Sequence, residues 1–195
     1  MLVAVRSIVF FLALLFVAPA FAAAGPKGFV ESKHSELTAL LKKEGAQSEA
    51  SVSAAFDSIL DYEALAQRAL GDHWASRSDA ERKEFTAVLQ GLVKTAYRKN
   101  LKKTLAYDVQ VTAESPVDGG TLVKTVAKHR TDPREAPLSI DYALHKVGND
   151  WRIFDIVTEG SSLVKNYKSQ FNRVIRKNGF PELLSRMKRK LAEKE

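Results

Sequence analysis

Two hydrophobic periods divide the chain into a helical first part, a strand-rich middle and a helical end. Over residues 56–71 and again from residue 78 to about residue 102, apolar positions recur every three or four residues, as on one face of a helix. A weaker helical pattern covers residues 29–44 and stops at Gly45. Ser78 and Glu81 have capping-box spacing, which predicts that the long helix begins there.

The middle of the chain has a period of two instead. Apolar residues alternate with polar ones over residues 105–113, and strand-like segments follow at residues 121–129, 138–144 and 151–158. Short turn sequences connect these segments, which predicts an antiparallel four-stranded sheet. Closing helices are predicted at residues 162–177 and 181–191. Helices on both sides of such a run of strands indicate an α+β domain, packed by helices from the N-terminal and C-terminal parts.

The fourth predicted strand has apolar residues on both of its faces. Simple alternation places Trp151, Ile153 and Val157 on one face, with Phe154 and Ile156 on the other. An antiparallel strand with one face in water would alternate cleanly, so both faces need cover. Helices on each face would provide it, and so would helices on one face and an apolar ligand on the other.

The first 24 residues are predicted to be a secretory signal peptide. Arg6 precedes a continuous apolar run over residues 8–17, and small residues allow cleavage near Ala22 or Ala24. We therefore expect an exported, periplasmic protein in which residues 25–195 form a single domain. The chain has no cysteine, which excludes disulfides and a lipid-anchoring cysteine.

The chain is basic, with a formal net charge of +7. An exported protein rarely meets nucleic acid, so anionic lipid or acidic protein surfaces are the expected counter-charges, and simple solubility is the alternative. Two basic clusters are predicted to serve docking. The first consists of Lys94, Arg98, Lys99, Lys102 and Lys103, and the second of Arg186, Lys188, Arg189 and Lys190.

The corner at Ser161 and Ser162, between the last strand and a helix, is the first candidate for chemistry. A nucleophilic serine would need a histidine base and glycines on both sides, and this corner has neither at a recognisable spacing. Capping of the following helix by Ser161, or by Ser162, explains the hydroxyls more simply. The four histidines show no ligand spacing, so no metal site and no catalytic residue are predicted. Asp155, an acid inside an apolar strand, is expected either to accept a buried hydrogen bond or to lie at an edge.

Two longer motifs resemble the signatures of the MlaC family, also called the toluene-tolerance family. The first is LDYEALAQRALGDHW at residues 60–74, followed by Ser78, Glu84-Phe85 and the tyrosine at position 97. The second comprises Asp141-Tyr142, WRIFDI at residues 151–156 and EGSSLVKNYKSQF at residues 159–171. Lys168 departs from the pattern, since the family commonly has arginine there.

The resemblance implies a periplasmic phospholipid carrier that catalyses no reaction and has no cofactor. Such proteins enclose the acyl chains in an apolar cavity between sheet and helices. They exchange lipid with an outer-membrane lipoprotein complex and with the MCE-domain ring of an inner-membrane ABC transporter. We expect a monomer with phospholipid as cargo; a hopanoid-like lipid, or a structural adaptor without cargo, are the alternatives.

The predicted cavity lies between the long helix that starts near Arg82 and one face of the sheet. Its expected lining combines the apolar rows of the strands with helical residues that face them. The predicted lipid-binding residues are Leu92, Val93, Tyr97, Tyr107, Val109, Val111, Ile140, Tyr142, Leu144, Trp151, Ile153, Val157, Leu163 and Tyr167.

Overall fold

The computed structural model describes residues 25–43 and 46–193, excluding the side chains of residues 46–49, 97–102 and 104. The helices are α1 (Pro26–Leu41), α2 (Ala46–Ile59), α3 (Tyr62–Leu70), α4 (Asp79–Leu101), α5 (Leu163–Asn178) and α6 (Phe180–Ala192). The strands are β1 (Tyr107–Val117), β2 (Gly120–His129), β3 (Leu138–Val147), β4 (Asp150–Thr158) and β5 (Ser161–Ser162). The predicted signal peptide lies outside the described residues.

The sheet is antiparallel, with its strands in the order β1-β2-β3-β4-β5. The predicted four-strand count is wrong, because the two residues of β5 pair with Val157 and Thr158 of β4. So short a strand is defined by its partner rather than by any sequence period. Further along the same edge of β4, the backbone N–H of Asp61 donates to the carbonyl oxygen of Ile153 at 2.9 Å. The edge of β4 is therefore covered at two places.

Local side-chain bonds set the starts of three helices. The Ser78 hydroxyl accepts from the Glu81 N–H at 3.2 Å and the Glu81 carboxylate accepts from the Ser78 N–H at 2.8 Å, which confirms the capping box before α4. Asp61 caps α3 by accepting from the Ala64 N–H at 2.9 Å. Ser162 caps α5 in the same way.

The helices pack together through a core centred on α4. The ring of Phe85 is 0% exposed and lies 5.5 Å from the Phe171 ring of α5 and 6.1 Å from the Phe180 ring of α6. Leu65 of α3 is also 0% exposed. Helix α1 packs against β1 and β2, and helix α5 packs against β4. Helices from both terminal parts thus contact the sheet, as predicted.

Two bulges interrupt the regular pairing of the sheet. In β1, Val111 pairs with Thr125 and Ala113 with Lys124, which leaves Thr112 as an extra residue. In β4, Asp155 pairs with Ala143 and Ile153 with Leu144, which leaves Phe154 extra. Each extra residue reverses the alternation of side chains beyond it.

Candidate functional site

The strand register places a continuous apolar row on one face of the sheet. Directly paired residues in an antiparallel ladder have their side chains on the same face. This face is defined by the pairs Val109–Ala127, Val111–Thr125, Val123–Tyr142, Leu144–Ile153 and Tyr142–Ile156. We call it the apolar face.

Burial changes along the apolar face from one end of the strands to the other. Val123 and Leu144 are 0% exposed, and Ile153 is 4% exposed. Towards the start of β1 and β3 and the end of β4, the apolar side chains that these three strands place on this face are half-buried, whereas Thr125 and Ala127 of β2 are 1% exposed. The half-buried residues are Val109, Val111, Ile140, Tyr142 and Ile156. Apolar side chains are thus partly accessible at this end, which we call the accessible end, and the middle of the face is closed.

Tyr142 lies at the accessible end of the apolar face, and its pKa reports how well that end is solvated. Its ring keeps accessible surface, yet burial, with a smaller contribution from the Asp141 carboxylate, raises its pKa to about 12. Burial penalises the phenolate because there is little solvent to stabilise it. Tyr142 is therefore poorly solvated even though it is not fully buried.

The predicted cavity between α4 and the sheet stays a prediction, because the described residues of its predicted helical lining pack in or against the core. Leu92 and Val93 of α4 are buried, at 7% and 5% exposure. On α5, Leu163 and Tyr167 are half-buried, and burial raises the pKa of the Tyr167 hydroxyl. The side chain of Tyr97 lies outside the described residues, so its predicted contact stays a prediction.

Polar side chains surround the accessible end. The Tyr107 hydroxyl donates to the Glu135 carboxylate, and the Tyr107 ring meets the His129 ring edge-on at 5.1 Å. Arg130 forms an ion pair with Asp108 at 2.9 Å. Tyr107 thus lies on the apolar face as predicted, with its hydroxyl in a polar rim at the end of that face.

The bulge at Phe154 changes the predicted faces of β4. Ile156, predicted to point away from Ile153, shares the apolar face with it. Val157, predicted to lie beside Ile153, pairs with Asp141 and lies on the opposite face. These two assignments are wrong because an unpaired residue shifts the period by one. The sequence offered one signal of the bulge, namely apolar residues at both odd and even positions of the strand.

Trp151 is half-buried and lies at the far end of the apolar face, beyond Leu144 and Ile153. It pairs with Lys146, whose ammonium lies 5.5 Å from the centre of the indole ring. Leu144 and Ile153 are closed over by neighbouring residues. Among the residues predicted to bind lipid, Val109, Val111, Ile140 and Tyr142 come together at the accessible end, and Ile156 joins them.

The corner after β4 is a capped helix start. The Ser162 hydroxyl accepts from the Lys165 N–H at 3.0 Å and donates to the Asp155 carboxylate at 2.5 Å. The other Asp155 oxygen accepts from the Val164 N–H at 3.0 Å. Gly160 has a φ of +73°, which supports its predicted role as the turn residue. Ser162, and not Ser161, is therefore the cap, and Asp155 holds the start of α5 to the sheet.

Most of the described cations in the two predicted docking clusters form ion pairs. Lys94 pairs with Asp57 at 2.5 Å. On α6, Arg186 and Arg189 share Glu182, and Lys188 pairs with Glu84. The side chains of residues 98, 99 and 102 lie outside the described residues. These clusters are less available to a partner than their sequence suggests.

In the described part of the chain, no three His, Asp or Glu side chains come together as a metal ligand set. No helix in that part combines the length and the hydropathy needed to cross a membrane.

The structure defines an α+β domain whose sheet has an apolar face, closed at Leu144 and Ile153 and partly accessible towards Ile140, where polar groups lie at Tyr107 and Glu135. Residues 32–189 match the family model described as MlaC protein, and the chain therefore belongs to the MlaC family. A phospholipid-binding protein from Ralstonia solanacearum, solved in complex with a phospholipid, has a similar structure. Its TM-score is 0.74 at 19% sequence identity, over 87% of this chain and 98% of that one.

Proposed function

We propose that this chain is a periplasmic carrier that binds a phospholipid with its acyl chains against the apolar face. The observation that carries the proposal is the change in burial along that face, from closed at Leu144 to accessible at Ile140. Family membership and the phospholipid held by the Ralstonia protein support it.

An enclosed apolar site suits this cargo energetically. Each CH₂ group removed from water contributes about 0.8 kcal/mol, so an acyl chain gains most where water is excluded along its length. The pKa of Tyr142 is raised by burial, which agrees with such an environment beside the accessible aromatic surface. The polar rim at Tyr107, Glu135 and Arg130 suits a headgroup, since a binding site needs polar groups mainly at its opening.

The carrier would exchange its lipid with an outer-membrane lipoprotein complex and with the MCE-domain ring of an inner-membrane ABC transporter. This role follows from the family and not from any contact in the structure. It is tested by mixing lipid-loaded protein with the reconstituted ring and measuring movement of a labelled phospholipid to the ring. No movement above the level of a lipid-loaded unrelated carrier would contradict it.

Cargo is tested by recovering the protein from the periplasm and extracting it with organic solvent. Mass spectrometry should find intact diacyl phospholipid in the extract. A hopanoid-like lipid would change the cargo class, and an empty protein would favour an adaptor. Lysophospholipid with free fatty acid would indicate hydrolysis and contradict a non-catalytic carrier.

A matched pair of variants on β3 locates the cargo. Ile140→Arg places a charge at the accessible end of the apolar face and should remove most of the co-purified lipid. Val147→Arg is the control, because Val147 is 49% exposed at the far end of the same strand. Equal lipid content in both variants, with both folded, would mean that the lipid lies elsewhere.

A further inference from the structure

Helix α5 presents basic and neutral polar side chains to solvent, and no acidic ones. Its inner face carries Val164 and Phe171, which are buried at 9% and 6% exposure. The helix contains no Asp or Glu. Five basic residues on it are exposed, and these are Lys165, Lys168, Arg173, Arg176 and Lys177. At 1.5 Å per residue, they extend over about 18 Å of helix.

These cations stand out because none of them forms an ion pair in the described part of the chain. In residues 25–43 and 46–193, no carboxylate lies within ion-pair distance of any of the five. The neighbouring helices differ, since Arg186 and Arg189 of α6 share Glu182. We call the exposed side of α5 the cationic ridge.

A groove of about 300 Å³ runs beside the ridge, where α5 passes the end of α3. Its lining includes Leu70, Asp72, His73, Lys165, Lys168 and Asn172. The His73 ring nitrogen and the Asn172 side-chain oxygen lie 2.9 Å apart. Apart from the carboxylate of Asp72, the polar groups there suit an anion.

Lys168 is positioned in this groove by a glycine. Gly71 has a φ of +55°, and a Cβ at that position would lie 2.6 Å from Cε of Lys168. The absence of a side chain at Gly71 lets the lysine stem pack against the backbone, with its ammonium beside the groove. The cation is therefore held by packing rather than by an acid.

The chemistry of the ridge favours a lipid surface over a protein partner. Protein interfaces are organised around buried aromatic or aliphatic anchors. The exposed side of α5 offers none, because its large apolar side chains are buried or half-buried against the core. Several flexible cations without an anchor are typical of segments that associate with anionic headgroups.

We propose that the cationic ridge is the surface by which this protein docks on an anionic phospholipid bilayer. The ridge begins beside the corner at Ser162, which pairs with Val157 near the accessible end of the sheet. Docking would hold that end close to the headgroups. This inference rests on the proposed carrier function for its purpose, although bilayer binding can be measured without it.

The test is co-sedimentation of the full mature protein with vesicles. One set contains equal amounts of phosphatidylglycerol and phosphatidylcholine, and the other phosphatidylcholine alone. The ridge variant removes four charges, and its control removes four exposed lysines outside α5. The substitutions are Lys165→Gln, Lys168→Gln, Arg173→Gln and Arg176→Gln in the ridge, and Lys42→Gln, Lys43→Gln, Lys124→Gln and Lys146→Gln in the control.

We expect the wild type to bind the anionic vesicles and not the phosphatidylcholine vesicles. Each basic residue near an anionic surface strengthens partitioning about fivefold, so the ridge variant should bind at least about tenfold more weakly. The control should stay within about threefold of the wild type, since its lysines are dispersed over the end of α1, β2 and β3 instead of being concentrated on one helix. Binding should disappear in molar salt, where the Debye length falls to about 3 Å.

Two results would overturn the proposal. One is no binding of the wild type to anionic vesicles at low salt. The other is equal binding by the two variants. It would mean that vesicle binding depends only on the net charge of the protein, or that α5 binds a protein partner instead of a bilayer. Thermal unfolding of each variant checks the fold, and lipid extraction from the same preparations tests the cargo. An empty protein that still docks would contradict the carrier function and leave the docking surface standing.

Discussion

Replacing Ser162 by alanine tests how the start of α5 is fixed to the sheet. The Ser162 hydroxyl is 7% exposed and makes two bonds, one from the Lys165 N–H and one to the Asp155 carboxylate. Ser161 is a matched control one residue away. It is exposed, and its hydroxyl accepts from the Asn166 side-chain amide at 2.9 Å.

The magnitude follows from those bonds. Loss of a helix cap costs about 1 kcal/mol. Loss of a hydrogen bond to a charged group costs about 1.5–3 kcal/mol, and the two terms overlap because one hydroxyl makes both bonds. We expect Ser162→Ala to lower the free energy of unfolding by about 2–3 kcal/mol, and Ser161→Ala by less than about 0.5 kcal/mol. For a domain of this size, the larger change lowers Tm by about 4–12 °C.

The measurement is urea unfolding followed by the fluorescence of Trp74 and Trp151. The midpoint should shift for Ser162→Ala while the slope m stays unchanged. Combining Ser162→Ala with Asp155→Asn should give less than the sum of the single effects, because both remove the same bond. Equal effects of the two serine variants, or a larger effect at Ser161, would refute the capping account.

Three further predictions follow from other parts of the fold. Gly120→Ala should destabilise by about 3 kcal/mol or more, because its Cβ would lie 2.1 Å from a backbone carbonyl oxygen of β3. Gly148 lies in open space with a φ of +62°, so Gly148→Ala should lower the free energy of unfolding by only about 1–2 kcal/mol in urea unfolding. A larger loss for Gly148→Ala than for Gly120→Ala would contradict this prediction. Phe85→Ala should cost about 3–5 kcal/mol by the same assay, and a cost near 1 kcal/mol would mean that the core closes around the gap. Burial and then the charge of Arg130 lower the pKa of His34 from 6.5, so protonation favours the unfolded chain. Stability should therefore be retained above pH 6.5 and fall as pH drops through the lower folded pKa, and His34→Gln should flatten that fall.

Much of the helical part follows from local sequence. The capping box at Ser78 and Glu81 forms, and α4 ends at Leu101, close to its predicted end. The α1 helix begins at Pro26, three residues before its predicted start. A proline at a helix start is favourable because its missing N–H has no intrahelical partner there. Helix α2 is formed mostly by small residues with a weak apolar period, so its full extent was not apparent.

The sheet was less predictable where the period breaks. A bulge residue such as Phe154 can be recognised only from the pairing of β4 with β3. The sequence alone does not show that register. At Phe154 the ring is covered by the guanidinium of Arg68, 4.1 Å from its centroid, and by the His145 ring at 5.1 Å. Apolar residues at both parities of β4 thus reflect a bulge, and they did not require two apolar layers. The α5 cations that form no ion pair with a described residue were not singled out, because the pairing of Lys94 and Lys188 with acids of other helices depends on tertiary contacts.

The bulge at Thr112 has a further consequence for how copies of the protein meet one another. Strand β1 stands at the end of the strand order, and a straight strand in that position can add a strand from another molecule. The bulge twists β1 midway, and Pro116 lacks an N–H to donate. Strand β1 is therefore a poor template for pairing with a strand of another copy.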